Sequence, residues 1–404
     1  MKKEFIVLKP QYMSEFQCIG AACSDTCCSG WRVDIDKRTY KNYRKINDKK
    51  MATKISEQVK RNKDNKNEDL YASIQTNGGN CGFLNNGLCD IQLNLGEDYL
   101  SKTCLSYPRV FNNVDGQVEL SAKLSCPEIA RLVLLNPEKM EFNIEEEQLD
   151  TRHSYRMTMN SSQSIWHSCF WQVRSFVIEI LQNRNYTISQ RLIFLGFFCE
   201  KLFNISRSSF FTQSQIMNVI NEFQTKMHNP STKIQITDLP KVLHVQIKLL
   251  MEMLQPRKSN HIRYNNYSEQ TSIAFALDTM DQTIVEERYS EGYNNYYKPF
   301  IEEHSYILEN YLVNQVFERT FLFNRSSDIL EEYTLLVSLY SMLRFHIQGV
   351  AAYTKQMSVN EAMSIIQAFS KVIDHSPLFL KSLTDHIKNS NFDTWALLTI
   401  LVKE

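Results

Sequence analysis

The feature that most constrains this 404-residue chain is the position of its cysteines, because eight of the ten lie within the first 126 residues. They form two groups along the sequence: Cys18, Cys23, Cys27 and Cys28, then Cys81, Cys89, Cys104 and Cys126. Thiols at this density, without the Cys and His pairs of a simple zinc finger, are typical of a metal or iron-sulfur site. Glycines and prolines beside them favour the tight turns from which loops aim several thiols at one centre.

Other uses of these thiols stay open at this point. Buried structural cysteines would follow a helix or strand period, and these cysteines do not. A structural zinc site would also use clustered thiols, and in an oxidising compartment the eight cysteines could form four disulfides. Eight thiols suffice for one four-iron cluster with four to spare or for two metal centres, and the sequence does not choose. We expect the side chains of adjacent Cys27 and Cys28 to diverge, so that at most one serves any single iron. Cys169 and Cys199 lie on apolar helical faces and are expected in the core.

Charge gives little guidance to a partner. Lys+Arg and Asp+Glu both total 45, so long-range attraction to nucleic acid or to an anionic membrane is not expected. The start, MKKEFIVLKPQY, has no long apolar run and is a poor secretory signal, which makes the cytoplasm the expected location. The longest apolar stretches (192–198, 333–343 and 395–402) are too short to span a bilayer, so we expect no membrane insertion.

The pattern along the chain predicts a mainly α fold with a cysteine-rich, metal- or cluster-binding N-terminal domain over residues 1–145 and an all-helical C-terminal domain over residues 146–404. The boundary is placed in the polar stretch around 136–164, which contains the acidic run at 145–147. Residues 36–70 predict one or two solvated helices. Apolar residues at spacings of three and four predict further helices over 166–181, 190–203, 213–227, 241–254, 306–317, 328–353, 358–375 and 379–388.

Two familiar signatures of methyl-transfer enzymes are missing. The C-x3-C-x2-C motif of radical enzymes that use S-adenosylmethionine fails because Gly30 follows Cys23 and Cys27 where the third cysteine belongs. A Rossmann-type methyltransferase is also unlike this chain, whose eleven glycines form no G-x-G cluster.

Three segments carry a resemblance to a known family. CIGAACSDTCCSGW from Cys18, CGFLNNGLCDIQLNLGEDYLSKTCLSYPR from Cys81 and LSCPEIARL around Cys126 resemble the flagellin lysine-N-methylase family, within a wider group of zinc- or iron-chelating cysteine-motif proteins. In the C-terminal half, PFIEEHSYILENYLVNQVF, LYSMLRFHIQGVAAY and KVIDHSPLFL are similar to the helical region of that family.

The resemblance implies a cytoplasmic protein-lysine N-methyltransferase that acts on flagellin. Its implied cofactors are S-adenosylmethionine and a cysteine-ligated iron-sulfur cluster, taken as 4Fe-4S with zinc as the alternative, whose ligands are drawn from the eight cysteines. The alternative from another class is a non-enzymatic redox or adaptor protein whose zinc or iron-sulfur centre only stabilises the fold.

Further candidates lie outside the cysteines. In the tyrosine-rich stretch 289–306, Tyr297, Glu303 and Tyr306 are candidate catalytic residues that would receive a lysine side chain, although packing between domains explains the stretch equally simply. Arg109 and Arg131 are candidate cofactor-binding residues that would pair with a carboxylate, and the competing role is an internal salt bridge to Asp90, Glu97 or Glu128.

Overall fold

The protein is described by a computed structural model over residues 2–64, 66–208, 210–254, 259–279, 281–321, 328–390 and 394–404. Within these ranges it is mainly helical, with a sheet-containing N-terminal region. The strands are β1 (Lys2–Pro10), β2 (Asp34–Ile35), β3 (Val59–Arg61), β4 (Ala72–Ile74), β5 (Thr76–Asn77), β6 (Asn80–Cys81), β7 (Leu84–Asn85), β8 (Leu88–Cys89), β9 (Arg109–Val114), β10 (Gln117–Ala122), β11 (Phe142–Asp150) and β12 (Tyr155–Met159).

A five-stranded sheet in the order β11-β1-β10-β9-β12 forms the base of the N-terminal region. Strand β1 pairs along its whole length with β11, from Lys2 opposite Asp150 to Pro10 opposite Phe142. Strands β9 and β10 form a hairpin around Asp115 and Gly116, which both have positive φ, as a two-residue type I′ turn requires. The sheet was not predicted, and the Asp-Gly pair between apolar runs was the local signal for it.

The polar stretch chosen as a domain boundary is part of this sheet. Glu145 and Glu147 lie on one face of β11, because alternate residues of a strand point the same way, and both contact the buried Lys9 amine of β1, Glu145 at 2.7 Å. Residue 145 thus falls inside a strand. The expectation of an all-helical segment over 146–404 is wrong at its start, which holds the end of β11 and all of β12.

The cysteine-rich unit is inserted between β1 and β9 and has a core of its own. Short helices and strands enclose a cluster of buried apolar side chains from Val33 to Leu105, which is separate from the main core. The expected solvated helices of this segment are present at 37–43 and 49–58. Because so many short strands and turns fill the unit, loops carry most of its cysteines.

The eight segments predicted from 166 onward are helical to within a few residues, but the helices at 230–237, 262–275, 282–292, 298–304 and 395–402 were not predicted. The helices of the described residues are α1 (Tyr12–Glu15), α2 (Lys37–Tyr43), α3 (Lys49–Gln58), α4 (Asp90–Leu95), α5 (Lys102–Ser106), α6 (Pro127–Leu134), α7 (Ile165–Ser168), α8 (Phe170–Leu181), α9 (Ile188–Ser206), α10 (Gln213–Met227), α11 (Pro230–Thr237), α12 (Leu243–Leu254), α13 (Ile262–Phe275), α14 (Gln282–Gly292), α15 (Lys298–His304), α16 (Tyr306–Glu318), α17 (Ile329–Thr354), α18 (Val359–Phe369), α19 (Pro377–Asn389) and α20 (Trp395–Val402). Single π-helical turns cover Tyr293–Tyr297 and Ser370–Asp374.

Helix α17 is the central element of the helical body. Among the helices of the described residues it alone is long and apolar enough to cross a membrane, and 94% of its most apolar window is buried in the protein. It also carries buried Glu332, Arg344 and His346. These features are those of the core helix of a globular body.

The sheet and the helical body share one apolar core, in which Val7 and Val118 of the sheet join the side chains of the helices. A buried ion pair crosses the junction: the Arg174 guanidinium on α8 donates two hydrogen bonds to the Glu119 carboxylate on β10, one of them 2.9 Å long. The sheet therefore provides a fixed platform, from which the cysteine-rich unit projects toward the helices.

Candidate thiol site and neighbouring cavity

Backbone pairing brings the two sequence groups of cysteines together. The carbonyl of Cys28 accepts a 2.7 Å hydrogen bond from the amide of Cys81, and Gly79 accepts one of 2.9 Å from Gly30. Gly30 and Gly79 have φ near +87° and +84°, a left-handed conformation that glycine adopts without steric cost. The glycines beside the cysteines thus allow a loop and a hairpin to lie side by side.

Four thiols meet where these segments touch, and we call Cys27, Cys28, Cys81 and Cys89 the first thiol group. The Cys28 thiol lies within hydrogen-bonding reach of the other three. All four line a cavity of about 60 Å³, with Cys104 on the same wall. The expectation that Cys27 and Cys28 diverge is wrong, because the turn at this position is not an extended strand and both side chains reach the same cavity.

The four thiols of the first thiol group differ in pKa. Hydrogen bonds from Cys28 lower the pKa of Cys27 to about 7 and that of Cys89 to about 6, and they also lower the pKa of Cys81. The same hydrogen bonds raise the pKa of Cys28. Cys89 also receives the backbone amides at the start of α4, where a helix N-terminus stabilises a thiolate. Thiolate is the form in which cysteine binds a metal.

A second thiol group consists of Cys18, Cys23 and Cys126. Burial raises the pKa of Cys23 and that of Cys126 to about 11, and each also feels the charge of Cys18. Cys126 precedes α6, and the first amides of that helix act against this rise. All ten cysteines are free, so the disulfide alternative does not describe this fold.

The thiols are close together, but they do not form a finished metal site. Across the described ranges, no set of three or more Cys, His, Asp or Glu side chains has its ligand atoms arranged to hold a metal ion. The first thiol group fits a metal or cluster in donor type, in proximity and in thiolate character. The arrangement of its ligand atoms does not match that of a metal or cluster site.

Asp25, which lies between Cys23 and Cys27 in sequence, joins the cysteine-rich unit to the helical body. Its carboxylate accepts hydrogen bonds from Lys371 at 2.8 Å, Gln367 at 3.0 Å and His261 at 3.1 Å. Lys371 also donates to the carbonyl of Thr26 at 2.9 Å. Side chains of two different helices thus fix the loop that carries Cys23, Cys27 and Cys28.

An aromatic wall borders the first thiol group on the side of the helical body. The Trp31 indole donates to the carbonyl of Cys27 at 2.7 Å, and its ring lies 5.4 Å from Tyr107 and 6.5 Å from His375. Ser125 connects Tyr107 and His375 through hydroxyl contacts of 3.0 and 2.8 Å. Burial lowers the pKa of His375 to about 3, so this imidazole is neutral at physiological pH.

The structure separates the two candidate arginines. Arg109 is stacked 5.0 Å from the Phe16 ring, close enough to Cys18 and Cys126 to feel their charge. Arg131 makes a bidentate ion pair with Glu128, at 2.7 and 3.0 Å, which is the internal salt bridge weighed against cofactor binding.

The three catalytic candidates lie in different surroundings. Tyr297 is fully buried beneath α17, and its hydroxyl has no hydrogen-bond partner among the described residues. Glu303 has 78% of its side chain exposed, beside His304. Tyr306 is partly buried at the start of α16. Their catalytic role stays a prediction.

Sequence reasoning missed a much larger cavity of about 810 Å³ in the helical body, lined by α12, α13 and α17. Its wall includes Tyr264, Glu269, Phe345 and His346. No local sequence motif predicts this cavity, because the residues that line it come from segments up to about a hundred residues apart.

The described residues thus form a thiol-rich unit on a sheet, packed against a helical body that contains a cavity of about 810 Å³. Comparison with known proteins identifies the family: residues 174–401 match the model of the FliB lysine N-methylase C-terminal domain. The chain therefore belongs to the FliB lysine N-methylase family.

Individual relatives agree with this assignment. The chain is 32% identical to the flagellar biosynthetic protein FliU of Salmonella muenchen over 169 residues, which are 42% of this chain and 99% of that protein. It is 34% identical over 139 residues to lysine-N-methylases of Salmonella typhimurium and Salmonella choleraesuis, a match that spans 34% of this chain and 35% of each of those proteins. No solved structure matches the chain.

Proposed function

We propose that the protein transfers methyl groups from S-adenosylmethionine to lysine ε-amines of flagellin. The observation that carries the proposal is the family match over residues 174–401, together with relatives named as lysine-N-methylases and as a flagellar biosynthetic protein. The balanced charge of the chain agrees with a protein substrate that is recognised by shape and short-range contacts. The free thiols suit the reducing cytoplasm, where we propose that the protein acts.

The reaction sets a requirement on the site. A lysine amine has a pKa of about 10.4 in water and must lose its proton before its lone pair attacks a methyl carbon. An apolar, aromatic environment disfavours the ammonium and so lowers that pKa. A site for this chemistry therefore needs buried walls and a group that accepts a hydrogen bond.

We propose further that the first thiol group holds an iron-sulfur cluster. Its support is the donor set: three thiols with lowered pKa around Cys28, and Cys104 on the same wall. Such a cluster supplies a soft, polarisable centre able to orient a sulfonium compound. The residues of the chain would hold and shield it, with Trp31 and Tyr107 limiting access of water from the helical side.

The alternative is a non-enzymatic adaptor in which the same thiols bind zinc. The small volume of the thiol-lined cavity, about 60 Å³, favours this candidate, because one tetrahedral ion needs little space. Metal analysis separates the two: a brown anaerobic preparation with iron and sulfide supports the cluster, whereas a colourless protein with zinc supports the adaptor.

The decisive assay uses the full chain, reconstituted anaerobically with iron and sulfide, with labelled S-adenosylmethionine and purified flagellin. We expect label on flagellin lysines, located by mass spectrometry of its peptides. A reconstituted protein that leaves flagellin unlabelled, while a Salmonella lysine-N-methylase labels it under the same conditions, contradicts the proposal.

A further inference from the structure

The cavity of about 810 Å³ lies where α12, α13 and α17 meet. Its volume is within the range of about 300–1,000 Å³ that is typical of small-molecule and cofactor sites. Cavity walls of mixed character, with a few polar groups among apolar side chains, are also typical of such sites. The first thiol group, in contrast, encloses only about 60 Å³, too little for an organic cofactor.

The inner wall of the cavity is aromatic. Tyr264 and Phe345 are both buried, and the Tyr264 ring lies 5.5 Å from the His346 ring in an edge-to-face arrangement. Planar ligands pack well against such rings, because stacked and edge-to-face contacts suit the charge distribution of aromatic faces and edges. The inner wall therefore favours a ligand with a flat ring system.

His346 gives this wall one specific polar group. The Thr271 hydroxyl donates to the carbonyl of Tyr267 at 2.8 Å, so its oxygen faces His346 Nδ1, 3.5 Å away, as an acceptor. Nδ1 therefore carries the proton, and Nε2 is left with a lone pair. Burial lowers the pKa of His346 to about 4, which keeps the ring neutral at physiological pH.

The Nε2 atom of His346 is buried and has no hydrogen-bond partner among the described residues. A buried polar atom without a partner is costly, and in a ring that lines a cavity it suits a ligand that donates a hydrogen bond. An exocyclic amine on a flat heterocycle has this property.

The charge of the lining narrows the class of ligand. Among the described lining residues Glu269 carries the one carboxyl side chain, and it is exposed at the outer part of the cavity. Among the described residues of the lining there is no Lys or Arg. The Glu269 carboxylate favours a ligand with hydroxyl groups and a net positive charge over one that carries phosphates.

We propose that this cavity binds the adenosyl part of S-adenosylmethionine, with its amino group donating to His346 and its ribose or cationic part beside Glu269. The identity of the ligand rests on the proposed function, and the location is the new inference. Exocyclic amine, planar ring, ribose hydroxyls and positive charge are all present in this one molecule.

The outer part of the cavity adjoins the cysteine-rich unit. A Cβ placed on Gly79, in the cysteine-bearing hairpin, would lie 3.7 Å from the side chain of Asn260, which lines the cavity. The next residue, His261, contacts Asp25 of the cysteine loop at 3.1 Å. A ligand that fills the cavity would therefore extend toward the unit that we propose to hold the cluster.

The test measures dissociation constants of S-adenosylmethionine, S-adenosylhomocysteine and ATP for the full, reconstituted chain by isothermal titration calorimetry. We expect His346→Phe to weaken both adenosyl ligands about tenfold, since the ring shape is kept and a buried hydrogen bond is lost. Glu269→Gln should weaken the cationic S-adenosylmethionine more than the neutral product. ATP should bind more weakly than either adenosyl ligand, because its phosphates would face the Glu269 carboxylate.

Matched controls separate binding from folding. Ser338→Ala, on α17 like His346, removes a buried hydroxyl that also has no partner among the described residues. Glu287→Gln removes an exposed carboxylate from the neighbouring helix α14. Both should bind like the wild type. Thermal unfolding identifies a variant that has lost its fold, and exposed Glu269 keeps the test open if His346→Phe does not fold.

The possible outcomes are distinct. If the wild type binds S-adenosylmethionine and methylates flagellin while folded His346→Phe and Glu269→Gln bind it unchanged, the location is wrong and the proposed function stands. If the wild type binds no S-adenosylmethionine and methylates nothing, the proposed function fails, and this inference fails with it.

Discussion

The ion pair between Glu119 and Arg174 provides a demanding test of how the sheet is held to the helical body. Both side chains are almost completely buried, with 1% and 4% of their surfaces exposed. The guanidinium is also 4.4 Å from the Phe170 ring and 4.8 Å from the Phe317 ring. Glu119→Gln keeps the shape of the carboxylate but leaves the guanidinium without its countercharge.

The expected size of the effect follows from this burial. Removing one partner of a buried pair costs about 3–5 kcal/mol, because the remaining charge is desolvated and unpaired. The total stability of a folded protein is about 5–15 kcal/mol, so the variant should lose a large part of it. Glu119→Leu combined with Arg174→Met should recover most of the loss, since two apolar side chains leave no buried charge.

Urea unfolding, followed by tryptophan fluorescence, measures the free energy of unfolding of each variant. The matched control is Glu222→Gln, which breaks a surface pair with Lys226 whose members are 41% and 49% exposed. We expect the control to lose less than about 1 kcal/mol. The reasoning is refuted if Glu119→Gln and Glu222→Gln are equally stable, or if the double variant is less stable than Glu119→Gln.

Three further predictions concern other parts of the molecule. Burial alone would raise the pKa of Glu318, but three neighbouring cations outweigh it and lower the pKa from 4.5 to about 2. The resulting stabilisation of the fold, about 3 kcal/mol, is complete above pH 4.5 and is lost as the pH falls toward 2. The difference in stability between wild type and Glu318→Gln, measured by urea titration, should therefore shrink over that range. Gly196→Ala should lower stability by about 1–3 kcal/mol, measured by the same method, because the new Cβ would lie 2.0 Å from Trp395. Cys81→Ser should lower the iron content and visible absorption after reconstitution, whereas Cys199→Ser, in the helical core, should leave both unchanged; equal loss in the two variants would argue against the first thiol group as the cluster site.

The sequence by itself determined most of the helical body. Apolar spacing located eight helical segments between α7 and α19 to within a few residues, because each has a face or a full surface buried in one common core. It did not predict α11, α13, α14 and α15. The sequence also showed that the spacing of the thiols follows no helix or strand period. The segments around those thiols resemble the family that the comparisons confirm.

The tertiary structure decided how the thiols are grouped. The sequence order suggests four early and four late cysteines, whereas the backbone bond between Cys28 and Cys81 sets Cys27 and Cys28 against Cys81 and Cys89, leaving Cys18, Cys23 and Cys126 as a separate set. Such pairings depend on turns and on contacts between distant segments, so no local pattern contains them.

The tertiary structure also decided the five-stranded sheet and the large cavity. An acidic stretch at 145–147 has the composition of a linker, and it is a strand because it pairs with β1, more than 130 residues earlier, where Lys9 also binds Glu145. His346 has no distinguishing neighbours in sequence. That its Nε2 lacks a partner among the described residues and that its ring lines a cavity follow only from the packing of α12, α13 and α17. Local periodicity is a property of the chain, whereas a cavity and a partner exist only after distant segments have packed together.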